Sequence, residues 1–144
     1  MKATDSIVLL RSLAEAYEAA CRPMCHKMKL SQTAFDILMF LAAHPDCSTA
    51  KDICRARGIR PNMVSFNVER LVEEGYLQRQ AVPGDRRKIR LLCTDKAQEI
   101  IEEGRRMANR FYSTILEGMS EDENIGFEQN IALICRNAEK LRNS

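Results

Sequence analysis

Between residues 58 and 92 the hydrophobic period switches from helical to extended, and that switch limits the folds open to the chain. Over residues 62–74, Val64, Val68 and Leu71 recur at spacings of four and three, the period of a helix with one apolar face. Gly75 follows, where a left-handed residue commonly stops a helix. Residues 76–82 and 88–92 then read as two short strands, and 83–87 (PGDRR) as a turn with a charged tip. Helix, glycine, strand, basic turn, strand is the layout of a winged helix. Such a helix can enter a major groove, and an arginine-bearing hairpin can reach the backbone or the minor groove beside it.

The flanking sequence reads as helices. Asp5 or Ser6 can cap a first one, with Leu10, Leu13, Tyr17, Ala20 and Met24 along one stripe. Pro23 predicts a bend near residues 19–22, or a break before Leu30. Ser31 can cap a second helix with Phe35, Leu38, Met39 and Ala42 inward, ended by Pro45-Asp46. Ser48 is the expected cap of a third, over 49–57, with Ile53 and Cys54 inward and Gly58 closing it. Pro61 suits the first turn of the fourth. The third and fourth helices, joined by Gly58-Ile59-Arg60, make a helix-turn-helix. No helix reads as apolar all round, so each has one face to bury.

After the second strand, Thr94 starts a long helix running from Asp95 to about Leu116, with Ile101, Ala108, Phe111 and Ile115 on one side. Gly118 ends it. Ser120 and Glu123 form a capping box for a last helix whose Phe127, Ile131, Ile134, Ala138 and Leu141 make a heptad-like seam. The expected fold class is mainly α with a small β wing. One domain over 1–144 is expected, with a winged-helix core at 30–93 between terminal helices at 1–29 and 94–144. That core is too small to cover every terminal stripe, which predicts a closed two-fold homodimer. A dimer would set two recognition helices about one DNA turn apart, over a palindromic site in double-stranded DNA.

Charge agrees with that placement. Residues 51–90 hold ten Lys/Arg against five Asp/Glu, a net of +5, leaving 12 against 15, a net of −3, for the rest. The positive field therefore sits on the winged helix, as a polyanion-binding face requires. The groove-facing side of the fourth helix carries Asn62, Ser65, Phe66, Glu69 and Arg70, with Met63 and Asn67 at its edges. Asn62 and Ser65 lie in the N-terminal half, which usually reaches base edges, and Phe66 can meet a thymine methyl. Arg86 and Arg87 stand at the wing tip, and Arg60, Arg79, Lys88 and Arg57 are candidate phosphate contacts.

Other classes find little support. No targeting segment is expected, since residues 1–13 hold only the four-residue apolar run 7–10, and no run approaches the ~20 apolar residues of a membrane span. A cytoplasmic protein is expected, its six cysteines reduced and none in CxxC spacing. No glycine-rich phosphate loop is present, and no cofactor is expected. The one catalytic-looking pair, Cys25-His26, is adjacent on a helix, so its side chains diverge by about 100°. The chain is not expected to be an enzyme. A winged-helix protein-interaction module without DNA binding is a further alternative, against which the basic wing argues.

Gly75-Tyr76-Leu77-Gln78-Arg79, then Gly84-Asp85-Arg86-Arg87, a strand, and Cys93-Thr94-Asp95-Lys96 carry a specific resemblance. They resemble the signature of the MarR family of bacterial transcriptional regulators, and the order of elements fits over nearly the whole chain. The resemblance implies that Arg87 enters a minor groove, that Asp85 braces it, and that the terminal helices form the dimer. It also implies a repressor released by a small aromatic or apolar ligand between the dimer helices and the winged core. Tyr17, Cys21, Met24, Phe35, Met39 and Met107 are candidates to line that space, each with core packing as its simpler role. Some members sense oxidants or metals instead. Cys21 and Cys25, four apart, with His26 beside them, are the residues for that alternative. Phe66 departs from the family pattern, which often has a basic or polar residue there.

Overall fold

The computed structural model describes all residues, Met1–Ser144. It is mainly helical with one small sheet. In chain order the elements are α1 (Ala3–Met28), α2 (Gln32–Ala43), α3 (Ala50–Arg57), α4 (Pro61–Glu73), β1 (Leu77–Val82), β2 (Asp85–Cys93), a 3-10 turn (Asp95–Ala97), α5 (Gln98–Ile115) and α6 (Glu121–Arg142). Two compact units divide the chain, Met1–Ala108 and Asn109–Ser144.

The first unit is built around α2. Ala34, Phe35, Ile37, Leu38, Phe40 and Leu41 are all buried, which covers more than half of its circumference at 100° per residue. The expectation that each helix has a single face to bury fails here, because α2 is packed from several sides. Cys21, Met24 and Cys25 of α1, Ile53 of α3, Val64, Val68 and Leu71 of α4, Ile100 and Ile101 of α5, and Leu77 and Leu91 of the strands complete the core. The C-terminal half of α1 thus shares one core with the helix-turn-helix.

Local sequence explains most boundaries. Ser31 Oγ accepts the Ala34 N–H at 3.0 Å and caps α2. The cap of α3 falls one residue later than expected, at Thr49. Thr49 accepts from the Asp52 N–H at 3.2 Å, and the Asp52 carboxylate accepts the Thr49 N–H at 3.1 Å. That reciprocal box needs an acid three residues on, which Thr49 has and Ser48 lacks. Ser48 is buried instead, and its carbonyl accepts the Leu91 N–H at 2.8 Å, tying β2 to the start of α3.

Pro23 does not break α1, which runs unbroken to Met28. A proline removes one backbone donor, a loss that the burial of the next two residues, Met24 and Cys25, can offset. Helix α4 ends as its glycine predicts. Gly75 sits at φ +83°, the Gly75 N–H reaches the Val72 carbonyl at 3.0 Å, and the Tyr76 N–H reaches the Leu71 carbonyl at 2.8 Å. This is a Schellman closure, and it turns the chain straight into the wing.

In the second unit, Ser120 and Glu123 make the expected capping box for α6. Helix α6 buries no residue fully, and Ile125, Leu133, Ile134 and Leu141 are all at least 48% exposed. No helix is long and apolar enough to cross a membrane.

One close approach was not anticipated from sequence. A Cβ added to Gly104 of α5 would lie 2.7 Å from Met39 Sδ and 2.8 Å from Phe35 Cε2 of α2. Phe35 is fully buried and cannot swing away. Gly104→Ala should therefore destabilise by about 1–2 kcal/mol, overpacking outweighing the helix preference for alanine. Thermal denaturation reads this as a lowered Tm; an unchanged or higher Tm would show that α2 and α5 can separate freely.

Candidate nucleic-acid interface

Helix α4 divides its residues sharply between core and solvent. Val64, Asn67, Val68 and Leu71 are buried, whereas Asn62, Met63, Ser65, Phe66, Glu69 and Arg70 are exposed. Asn67, expected at an edge, is 4% exposed. Its Oδ1 accepts from Ser31 Oγ at 2.9 Å, and its Nδ2 donates to the Met63 carbonyl at 2.8 Å. The hydroxyl that caps α2 is thereby also bonded to α4. The signal was available: position 67 lies three after Val64 and four before Leu71, on the apolar stripe. Phe66 is not tucked under the wing or against another helix. It is 57% exposed, with the Arg70 guanidinium 5.9 Å over its ring.

The wing differs from its sequence reading in a way that concerns its arginines. The turn is Pro83-Gly84 alone, and β2 begins at Asp85 rather than Lys88. Pairing is regular from Leu77↔Cys93 to Ala81↔Ile89, then jumps to Val82↔Asp85. Arg86, Arg87 and Lys88 therefore have no counterpart on β1, and the strand bulges at these basic residues. A bulge re-aims side chains away from the sheet. All three are exposed and make no ion pair. Asp85 Oδ1 accepts the backbone N–H of Arg87 at 3.0 Å, so the acid fixes the main chain at the bulge rather than the guanidinium.

Other charges are already engaged. Arg79 Nη2 donates to Glu69 Oε2 at 2.6 Å, joining β1 to α4. Arg70 lies 3.5 Å from Glu74 on its own helix. Arg57 sits over the Phe40 ring at 5.4 Å. Arg60 is exposed at the N-cap of α4. A cleft of about 490 Å³ separates the start of α3 from the wing, lined by Thr49, Ala50, Lys51, Asp85, Arg87, Lys88 and Ile89. At the base of the wing, Thr94 Oγ1 donates to the Gly75 carbonyl at 2.6 Å, and Lys96 Nζ donates to the Glu74 carbonyl at 2.6 Å. These bonds fasten the far end of β2 to the end of α4.

The six residues expected around an effector are mainly core. Cys21, Met24, Phe35 and Met107 are buried, with Tyr17 and Met39 half-buried against them. Burial, helped by the neighbouring Cys21, pushes the Tyr17 hydroxyl well above its usual range. Burial also raises the Cys21 thiol and pushes Cys25 up to about 11. Asp36, bonded to Gln32 at 2.9 Å, is raised by burial too. A cleft of about 320 Å³ beside α1 is lined by Glu18, Arg22, Cys25, His26, Leu30 and Gln32, a mostly polar set. All six cysteines are free, and His, Cys, Asp and Glu side chains gather nowhere in threes as a metal site would need.

The MarR family model matches residues 28–88. The crystal structure of transcriptional regulator PA3341 is 28% identical, covers 92% of this chain and 97% of its own, and superposes with a TM-score of 0.81. Staphylococcus aureus MepR in its DNA-binding conformation gives 18% identity, 92% and 98% coverage and a TM-score of 0.83. Bordetella bronchiseptica BpsR, whose DNA binding is regulated by 6-hydroxynicotinic acid, gives 22%, 91% and 98%, and 0.71. The last two are likenesses of fold. Its winged-helix core matches the MarR family model over residues 28–88, and nearly its whole length superposes on a solved transcriptional regulator, so the chain is similar to the MarR family of winged helix-turn-helix transcriptional regulators.

Proposed function

We propose that the chain binds palindromic double-stranded DNA as a homodimer and acts as a repressor released by a small aromatic or apolar ligand. The observation that carries the DNA reading is the unpaired trio Arg86, Arg87 and Lys88, bulged out of the sheet on the wing, with Arg87 and Lys88 facing the start of α3. Asn62, Ser65 and Phe66 would face base edges, Arg87 the minor groove, and Arg60, Arg86 and Lys88 phosphates. Arg79 and Arg70, each beside a glutamate, would contribute less to phosphate binding than their charge suggests.

Dimerisation is supported by apolar surface at both ends of the chain. Ile7, Val8, Leu9 and Leu10 of α1 are 44–66% exposed, and the α6 residues named above are as open. Exposed apolar surface of that extent marks an interaction site. The family resemblance assigns these helices to the dimer. A ligand would approach through Tyr17 and Met39, the half-buried members of the effector set. A low-pKa sensor thiol is the less favoured alternative, because burial moves Cys21 and Cys25 the other way. The protein would work in the cytoplasm with its cysteines reduced.

Three measurements test this. Arg87→Ala should weaken binding to a selected duplex at least tenfold by anisotropy. Lys88→Ala, which removes a phosphate contact, should flatten the log–log salt slope by up to about 2, since each such contact contributes roughly 0.9 and a dimer loses two. Unchanged affinity and slope would remove the wing assignment. Light scattering at micromolar concentration should give two chains per particle, and Ile134→Glu on α6 should shift it to one; a monomeric wild type would end the dimer proposal. Iodoacetamide at pH 8 should label Cys47 and Cys135, both exposed, well before Cys21 and Cys25. With a pKa about 11, only roughly a thousandth of Cys25 is thiolate at that pH. Equal labelling would reopen the thiol-sensor alternative.

A further inference from the structure

The DNA-facing side of α4 carries an apolar spot that its polar surroundings do not explain. Phe66 is 57% exposed and Met63, one turn earlier, is 42% exposed. They stand among exposed Asn62, Ser65, Glu69 and Arg70, and the buried face of the helix is filled by Val64, Val68 and Leu71 without them. The Arg70 guanidinium lies over one face of the Phe66 ring. A cation over the ring favours that ring position. The surrounding charge, with Arg60 at the head of the helix and Arg86–Lys88 on the wing, fits a polyanion rather than an apolar protein surface. Among the groups a major groove offers, only one is apolar: the C5-methyl of thymine.

We propose that Met63 and Phe66 together form a methyl-reading surface, which packs on the C5-methyl of one thymine in each operator half-site. This rests on the DNA-binding reading above and makes Phe66 a determinant of sequence choice rather than of affinity for DNA in general. Deoxyuridine supplies the test, because it keeps the O4 and O2 acceptors of thymine and lacks only that methyl. Duplexes would be selected from a random pool with the wild-type chain. Each conserved thymine of the consensus would then be replaced singly by deoxyuridine and the affinities measured by fluorescence anisotropy.

At one thymine per half-site the wild type should lose about fourfold, the equivalent of one buried methyl. Phe66→Ala should bind the thymine and deoxyuridine duplexes alike at that position and keep the salt slope of the wild type. Phe66→Leu, still apolar, should keep part of the discrimination. Phe66 lies outside the core, so both variants should melt as the wild type does. A consensus without a conserved thymine, replacement effects below twofold throughout, or the same loss in Phe66→Ala would each overturn the proposal while leaving DNA binding intact. A wild type that selects no sequence and shows no salt-dependent duplex binding would remove the DNA-binding reading, and this one with it.

Discussion

The Ser31 hydroxyl is shared between two helices, and the presentation of α4 depends on that sharing. It accepts the Ala34 N–H to start α2 and donates to the Asn67 side chain of α4. Apolar contacts such as those of Val64, Val68 and Leu71 tolerate a small slide or rotation at modest cost. A buried amide does not, because away from its partners it loses bonds that water cannot replace, at about 1–3 kcal/mol. Asn67 also bonds its own helix at Met63, so it is satisfied only when α4 sits in one register against α2. The rotation that satisfies it is the one that turns Asn62, Ser65 and Phe66 outward.

The electrostatics of the exposed side follow from this placement. Glu69 points away from the core and meets Arg79 of β1. Both are well exposed, so the pair adds little stability, on the order of 0–1 kcal/mol. Its effect is to join helix and wing, together with the Thr94 and Lys96 bonds to the end of α4. It also removes Arg79 from the free positive charge. What remains uncompensated is concentrated where the β1–β2 register fails, at Arg86, Arg87 and Lys88. The wing thus separates two tasks: its base holds the element to the core, and its bulge presents charge.

Most of the architecture was legible because it rests on local rules. Ser31, Gly75, Ser120 and the switch in period mark boundaries through short-range sterics and capping. The errors share a cause. Ser48 as a cap, and a turn running to Arg87, were both read from residue type alone. The outcome was decided by partners: Asp52 selects Thr49, and the Asp85 carboxylate with the Val82 pairing draws Asp85 into the strand. The continuity of α1 through Pro23 is likewise a tertiary result, since the burial of Cys21 and Cys25 lies outside the stripe that the helix itself displays. At the candidate interface, the sequence located the exposed bases. It missed that Asn67 is structural and that Glu69 occupies Arg79, because a charge does not reveal its partner. Gly104 was passed over for the same reason, its role being visible only against Phe35 and Met39.

The proposed dimer gives the small contact surface its purpose. One helix face and three wing cations offer few phosphate contacts, and a handful of such contacts yields weak, salt-sensitive binding. Two copies joined rigidly bind the second half-site at a high effective concentration, which multiplies the affinities without any new DNA contact. The gain vanishes when the geometry forbids both copies from engaging together. Control of such a protein therefore needs no change in the recognition helix, whose register Asn67 fixes. In the proposed dimer it would need only a change in the spacing between copies.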